Sequence, residues 1–259
     1  MGIDWTVAGT GLAATFALAV LTWLASLVWH DVSIVDRVWS WLFVAAAAAY
    51  AALLPDIGPR AAWLWPLLLI WALRLSAHIT RRSWRQPEDR RYQAIRARNQ
   101  PGFALKSLWL VFGLQAVLAW LYSAPLLVAL ASPCPLGGFD IAGVLLCAFG
   151  IVFEAVADWQ LSRFQARDHE GQVLDSGLWR WSRHPNYFGE ACTGWGFWLI
   201  ALAAGGGWTV FAPLMLTAML LKVSGVSLLE KDIGERRPAY RDYIARTNAF
   251  IPGPPKAPR

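Results

Sequence analysis

Apolar runs long enough to cross a membrane alternate with short polar breaks along most of this chain. Seven are read, at about 5–29, 34–54, 61–80, 106–131, 138–161, 187–204 and 208–228. Each is near the roughly 20 residues that span about 30 Å of hydrocarbon as a helix. Pro125 lies inside the fourth run and predicts a kink or an early end. Gly205-Gly206-Gly207 predicts a tight break between the last two. Beyond that pair the hydropathy signal stops, and the tail from Lys231 is polar.

The exceptions to the apolar pattern carry the information. Arg74/His78, Glu154/Asp158 and Asn186/Glu190 are i,i+4 pairs, so each pair shares one helix face. An ionisable group in hydrocarbon is costly and normally faces a functional site in the bundle interior. Three pairs at similar depth predict one polar chamber open to one aqueous side.

Composition fixes the class. Of 259 residues, 57% are hydrophobic and 17 are Trp, with a mean hydropathy of +0.40. Soluble domains carry roughly 45–50% apolar residues, so the expectation is an all-α polytopic membrane bundle. The compact loops predict a single integral membrane domain over 1–259. Met1–Asp4 contains no Lys or Arg, so the first run is expected to stay as a span and not be removed as a signal peptide.

Charge adds the orientation. Of 23 Lys and Arg, eight fall in 81–106, four in 162–185 and seven in 229–259. The intervening breaks at 55–60, 132–137 and 205–207 contain only Arg60. The positive-inside rule then predicts seven transmembrane helices, with the N-terminus outside and the C-terminus cytosolic. The net charge of +6 is accounted for by topology, and no nucleic-acid-binding signature accompanies it. Cys134, Cys147 and Cys192 form no paired motif, so neither a metal site nor a disulfide framework is expected. No required protein partner is implied; membrane lipids are.

That orientation places the polar pairs by depth. Arg74 falls about 10 Å from the cytosolic end of its span, with His78 nearer to it. Glu154 and Asp158 occupy the last turns of the fifth span, and Asn186 and Glu190 the first turns of the sixth. Asp36 opens the second span on the same side, and Lys222 lies in the cytosolic half of the seventh. A transporter would place polar groups near the midplane. One-sided polarity predicts a membrane enzyme that takes a large polar cofactor from the cytosol. Arg74 fits a structural ion pair with Glu154 or Asp158 as well as it fits a ligand contact.

The stretch from Gly177 to Glu190 is the densest in chemistry. Pro185 suits the first turn of a helix, with Ser182 a plausible cap nearby. A helix N-terminus offers N–H groups and positive potential to phosphate, and Arg180, Arg183 and His184 add charge. A basic loop obeying topology alone explains the same residues equally well.

Ser182-Arg183-His184-Pro185-Asn186-Tyr187-Phe188-Gly189-Glu190 resembles the signature of the steroid 5-alpha-reductase-like membrane proteins. Leu229-Glu230-Lys231, Tyr240-Arg241-Asp242-Tyr243 and Phe250-Ile251-Pro252 resemble the ending of that superfamily. Ala157-Asp158-Trp159-Gln160 and Ser33-Ile34-Val35-Asp36 are similar to its bacterial branch, which implies a bacterial cytoplasmic membrane. The resemblance implies spans within 138–252 that hold NADPH, and spans within 1–131 that enclose an apolar steroid-like or isoprenoid substrate. The implied reaction reduces the 4,5 double bond of a 3-oxo-4-ene steroid or a related enone.

Site residues follow from the same resemblance. Asp158, Asn186 and Glu190 match positions that hold the cofactor. Arg163, Arg183, His184, Tyr240 and Tyr243 come from its basic and aromatic neighbourhood. Glu154, Tyr187 and Lys222 complete the set expected around NADPH. On the substrate side stand Asp36, Trp71, Arg74 and Gln115. Asp36 falls at the family's substrate acid, and Trp71 stands near the position of its partner tyrosine. Since Trp cannot act as an acid, His78 is the substitute donor, making Asp36 and His78 the catalytic candidates.

Hydride addition to the β-carbon of an enone moves negative charge onto the carbonyl oxygen, which a hydrogen-bond donor in a dry site stabilises. Asp36 in its protonated form is expected to donate, alone or through another group; capping the second span or pairing with Arg37 is its structural alternative. Two other functions compete. One is an S-adenosylmethionine-dependent methyltransferase similar to the isoprenylcysteine carboxyl methyltransferases, which share an Arg-His-Pro-x-Tyr stretch. The other is a non-catalytic lipid-binding protein. Glu190 after Phe188-Gly189 and the Ala157–Gln160 element favour the reductase, and the polar pairs count against a non-catalytic role.

Overall fold

The computed structural model describes residues 4–166, 172–223, 226, 230 and 238–256. Its main helices are α1 (Trp5–Trp29), α2 (Ile34–Leu53), α3 (Ala61–Ser83), α4 (Arg90–Arg98) and α5 (Phe103–Ala131). Then follow α6 (Gly138–Gln165), α7 (Pro185–Ala203), α8 (Gly207–Lys222) and α9 (Ala239–Arg246). Among the described residues there is no strand. Five helices, α1, α2, α3, α5 and α6, are long and apolar enough to cross a membrane, which makes this an integral membrane protein. The expected sixth run falls on α7, whose first turns are diluted by Asn186 and Glu190. The seventh falls on the shorter α8; residues 224, 225, 227 and 228 of that run lie outside the described residues.

Large apolar side chains lie on the outside of the helices as well as in the core, and on α1 the buried face is the more polar one. The buried face of α1 is Gly11, Thr15, Ala19, Thr22 and Ser26, while Leu21, Leu24 and Val28 are exposed. Thr15, Thr22 and Ser26 return their hydroxyls to carbonyls three or four residues earlier, so small polar side chains pack without an orphan donor. On α6 the exposed Leu145, Phe149, Val152 and Val156 make one stripe at helical spacing. Stripes of this size have a favourable surrounding only in lipid.

The chain divides into two compact units, Met1–Gly138 with Ile200–Thr209, and Phe139–Leu199 with Val210–Arg259. In the first, Gly11 lets the Tyr50 ring lie directly against α1, since a Cβ there would sit 2.1 Å from the ring. Antiparallel α2 and α3 are tied by hydroxyls: Ser40 donates to the Ala72 carbonyl at 2.9 Å and Ser76 to that of Arg37 at 2.8 Å. The long α5 contains a π-helical stretch, Leu108–Gly113, and is interrupted at Ser123 with Pro125 opening the next segment, as the sequence predicts. At the other end of the unit the buried Arg60 donates to the carbonyls of Cys134, Pro135 and Ala203, taking up groups that helix ends leave open. Its charge is therefore spent on architecture.

The second unit is built on a glycine crossing. A Cβ on Gly189 would come within 2.7 Å of the Glu154 backbone nitrogen, and one on Gly196 within 2.6 Å of that of Cys147. Gly150 faces Gly189 and Thr193 at similar range. Small residues at these positions let α6 and α7 touch backbone to backbone, which brings Glu154 and Asp158 level with the first turns of α7.

Candidate active site

In the first unit the site grows from α4, a short helix that hydropathy does not reveal. Asp89 caps it, its carboxylate accepting from the Arg91 N–H at 2.9 Å. Glu88 fastens it, accepting from the Val32 N–H and from Arg96, whose guanidinium lies over the Phe103 ring. Burial alone would raise the Glu88 and Asp89 carboxyls; the hydrogen bonds from Arg96 and Arg91 outweigh it and hold both below the usual range.

So held, α4 delivers Arg91 and Tyr92 to Asp36 in the first turn of α2. The Tyr92 hydroxyl donates to Asp36 Oδ1 at 2.7 Å, and Arg91 Nη2 pairs with Oδ2 at 2.9 Å. From α5, Gln115 Nε2 donates to the Tyr92 oxygen at 3.1 Å and reaches Asp36 at 3.4 Å. Burial first, then the charge of Asp36 and the hydrogen bond to it, raise the Tyr92 hydroxyl well above its ordinary value, so it keeps its proton.

Two departures from the sequence reading follow. Asp36, expected to donate, here accepts from Tyr92, Arg91 and Gln115. Arg37, its expected structural partner, instead donates to Ser83. Tyr92 was hidden among arginines; its only signal was an apolar pair, Tyr92 and Ile95, at helical spacing in a basic run. Both pack with Phe103 and Val111.

One level deeper the polar cluster gives way to aromatic rings. Asp36 and Phe43 are i,i+7 on α2, and Gln115 and Tyr122 are i,i+7 on α5, so each pair shares a face. Phe43 stacks on Tyr122 with centroids 6.5 Å apart, Trp39 meets both edge-on, and Trp71 of α3 meets Phe43 edge-on at 5.2 Å. The half-buried Arg74 and His78 follow Trp71 on the same face of α3, towards the level of Arg37. A cavity of about 490 Å³ at the other end of the unit, beside Leu54, Pro59 and Leu127, contains none of the expected site residues.

In the second unit Glu154 and Asp158 are buried on α6, and Asn186 Nδ2 donates to Asp158 Oδ1 at 3.3 Å. Glu190 is half-buried one turn further along α7. Beside them Arg183 is engaged on every side. Its Nε and Nη2 form a two-pronged pair with Glu230 at 2.7 and 2.8 Å, and Nη1 donates to the carbonyls of Ile244 and Thr247. His184 Nε2 lies 2.9 Å from the same carboxylate, with its ring stacked on Tyr187. Burial acts to raise Glu230, but the hydrogen bonds from His184 and Arg183 prevail and hold it at about 2.

Tyr243 is buried and donates to the Trp179 carbonyl, while Tyr240 packs edge-on against it. These contacts pin α9 to the loop before α7. Arg163, over the Trp159 ring, and Lys222 are exposed. Glu230 was not among the expected site residues; no spacing links it to Arg183, 47 positions away. Leu229 and Lys231 of the same motif lie outside the described residues.

The family model described as "Protein of unknown function (DUF1295)" matches residues 22–247, a range that takes in both clusters. The chain belongs to the DUF1295 family. It is also similar to "Uncharacterized protein C594.04c" of Schizosaccharomyces pombe, 27% identical over 272 positions that cover 93% of this chain and 78% of that protein. No solved structure matches significantly. The DUF1295 match includes α4, so Tyr92 and Arg91 fall inside the family region along with Asp36, Asp158 and Asn186.

Proposed function

We propose that this DUF1295 protein reduces the activated double bond of a 3-oxo-4-ene steroid or related isoprenoid enone, using NADPH. It would span the membrane seven times with its C-terminus in the cytosol; a bacterial cytoplasmic membrane is part of the same proposal. The observation that carries this reading is the buried Tyr92 hydroxyl on Asp36, flanked by Arg91 and Gln115.

NADPH, when bound, supplies the hydride that adds to the β-carbon of the enone. The electron pair of the double bond then shifts towards the carbonyl oxygen. Tyr92 turns its proton from Asp36 to that oxygen and stabilises the enolate. Asp36 tolerates the exchange because Arg91 still neutralises it and Gln115 still reaches it. A proton from water completes the α-carbon.

The second unit fits the cofactor through complementary groups. Asp158, Asn186, Glu154 and Glu190 offer acceptors and an amide to hydroxyl and amino groups of a nucleotide. The exposed Arg163, Arg180 and Lys222 suit its phosphates. Arg183, His184 and Tyr243 are committed to Glu230 and to backbone carbonyls; their role is to hold the start of α7 in place.

The test is turnover by the purified full chain with NADPH and an enone steroid. Tyr92→Phe should cut kcat by about 10²–10³, or roughly 3–4 kcal/mol, with NADPH affinity unchanged. Wild-type turnover by that variant would remove Tyr92 as the donor.

A further inference from the structure

We propose that the substrate site has two polar ends, and that the Trp71 indole N–H donates a hydrogen bond to a second oxygen acceptor on an elongated apolar substrate. This rests on the reductase reading for which end reacts. The first end is Asp36, Tyr92 and Gln115. The second lies about 10 Å away, seven residues along α2, at the level of Phe43.

Trp71 and Trp179 are the buried tryptophans among the described residues, and of the two only Trp71 has an indole N–H without an acceptor. Trp179 donates to the Ala157 carbonyl at 3.0 Å, and even the half-buried Trp120 and Trp23 donate, to the carbonyls of Ala8 at 2.8 Å and Ala104 at 2.9 Å. Trp71 is only 5% exposed, yet its Nε1 has no acceptor among the described residues. A buried donor without a partner is costly and uncommon, and a ligand acceptor is one way to remove the cost. At the Asp36 end the Tyr92 hydroxyl and Gln115 Nε2 are the donors available to an acceptor oxygen.

What lies between the two ends defines the rest of the substrate. The Phe43 ring packs with Trp39, Trp71 and Tyr122 into one aromatic cluster, a lining whose chemistry suits a flat fused-ring skeleton. The register of α2 against α5 keeps the two levels two helical turns apart. A ring system with an acceptor oxygen at each end would meet the Tyr92 hydroxyl at one and the Trp71 N–H at the other. A hydrocarbon-tailed enone would leave the Trp71 N–H without an acceptor.

A matched pair of four-ring enones tests this: one has a carbonyl on the ring farthest from the enone, the other has hydrogen there. Affinities for the full chain in detergent are measured by equilibrium dialysis, with and without NADPH, alongside product formation. The oxygenated compound should bind wild type about tenfold more tightly, and Trp71→Phe should bring the ratio close to one. Equal affinities in wild type, or an unchanged ratio in folded Trp71→Phe, would overturn the two-ended site. Turnover of both compounds with equal affinities sinks this inference alone. The expected ratio without any NADPH-dependent product supports the site and sinks the reductase reading. Failure of both compounds to bind overturns both.

Discussion

Tyr92 lies on α4, outside the five apolar spans, yet its hydroxyl is 2.7 Å from Asp36 Oδ1 in the first turn of α2. The chemistry proposed for this chain therefore depends on a short helix at the membrane edge. Asp36→Asn removes the charge that Arg91 neutralises and weakens the acceptor that orients Tyr92. Turnover of an enone steroid should fall by about 10²-fold while NADPH affinity stays at the wild-type value. Steady-state kinetics beside nucleotide binding decide the matter; unaltered kcat would make Asp36 an anchor for α4 only.

The clamp on α4 gives a second expectation. Glu88 holds both the Val32 N–H and Arg96. Glu88→Ala should loosen α4 and carry Tyr92 away from Asp36, raising KM and lowering kcat together. Amide exchange over 90–98 should quicken in the variant, with the five long spans unchanged.

These two cases show what was legible in the sequence. The runs that became α1, α2, α3, α5 and α6 stand out because hydropathy sums over twenty residues. α4 is hidden because its arginines swamp that sum, although two of them, Arg91 and Arg96, are paired with carboxylates in the structure. Trp71 drew attention as the residue near an expected tyrosine; the hydroxyl that meets Asp36 comes from a different element. Asp158 and Asn186 could be picked from spacing and resemblance, but their hydrogen bond depends on the glycine crossing of α6 and α7. The Arg183–Glu230 pair joins positions too far apart in sequence for any local pattern to suggest.

That pair makes a prediction about pH. The Glu230 carboxyl is held at about 2 against an ordinary value of 4.5, so the folded state favours its charged form. Its contribution is complete above the unfolded value and is lost as pH falls from about 4.5 towards 2, with an upper bound of about 3 kcal/mol. Glu230→Gln should lower the melting temperature clearly at pH 7 and much less near pH 3. An equal loss at both values would show that the ion pair contributes little.

The α6–α7 crossing is testable by a single methyl group. Gly189→Ala would place a Cβ 2.7 Å from the Glu154 backbone nitrogen, and the helices must separate to admit it. We expect a loss of about 1–3 kcal/mol and weaker nucleotide binding, since Asn186 would draw away from Asp158. Ser182→Ala, which removes the hydrogen bonds to the Phe250 carbonyl and from the His184 N–H but adds nothing at the crossing, should leave the Asn186–Asp158 contact in place.

The orientation is checked by labelling in a background without Cys134, Cys147 and Cys192. Lys256→Cys should react with an impermeant maleimide only after cells are opened, whereas Asp56→Cys should react in intact cells. The opposite pattern would reverse the topology.

The most direct measurement follows the hydride. The purified chain is supplied with an enone steroid and NADPH deuterated at its transferable position, with S-adenosylmethionine in a parallel reaction. The account predicts a saturated ketone with one deuterium on the former β-carbon, and no methyl transfer. A product without deuterium, or a chain that binds S-adenosylmethionine and ignores NADPH, would contradict it.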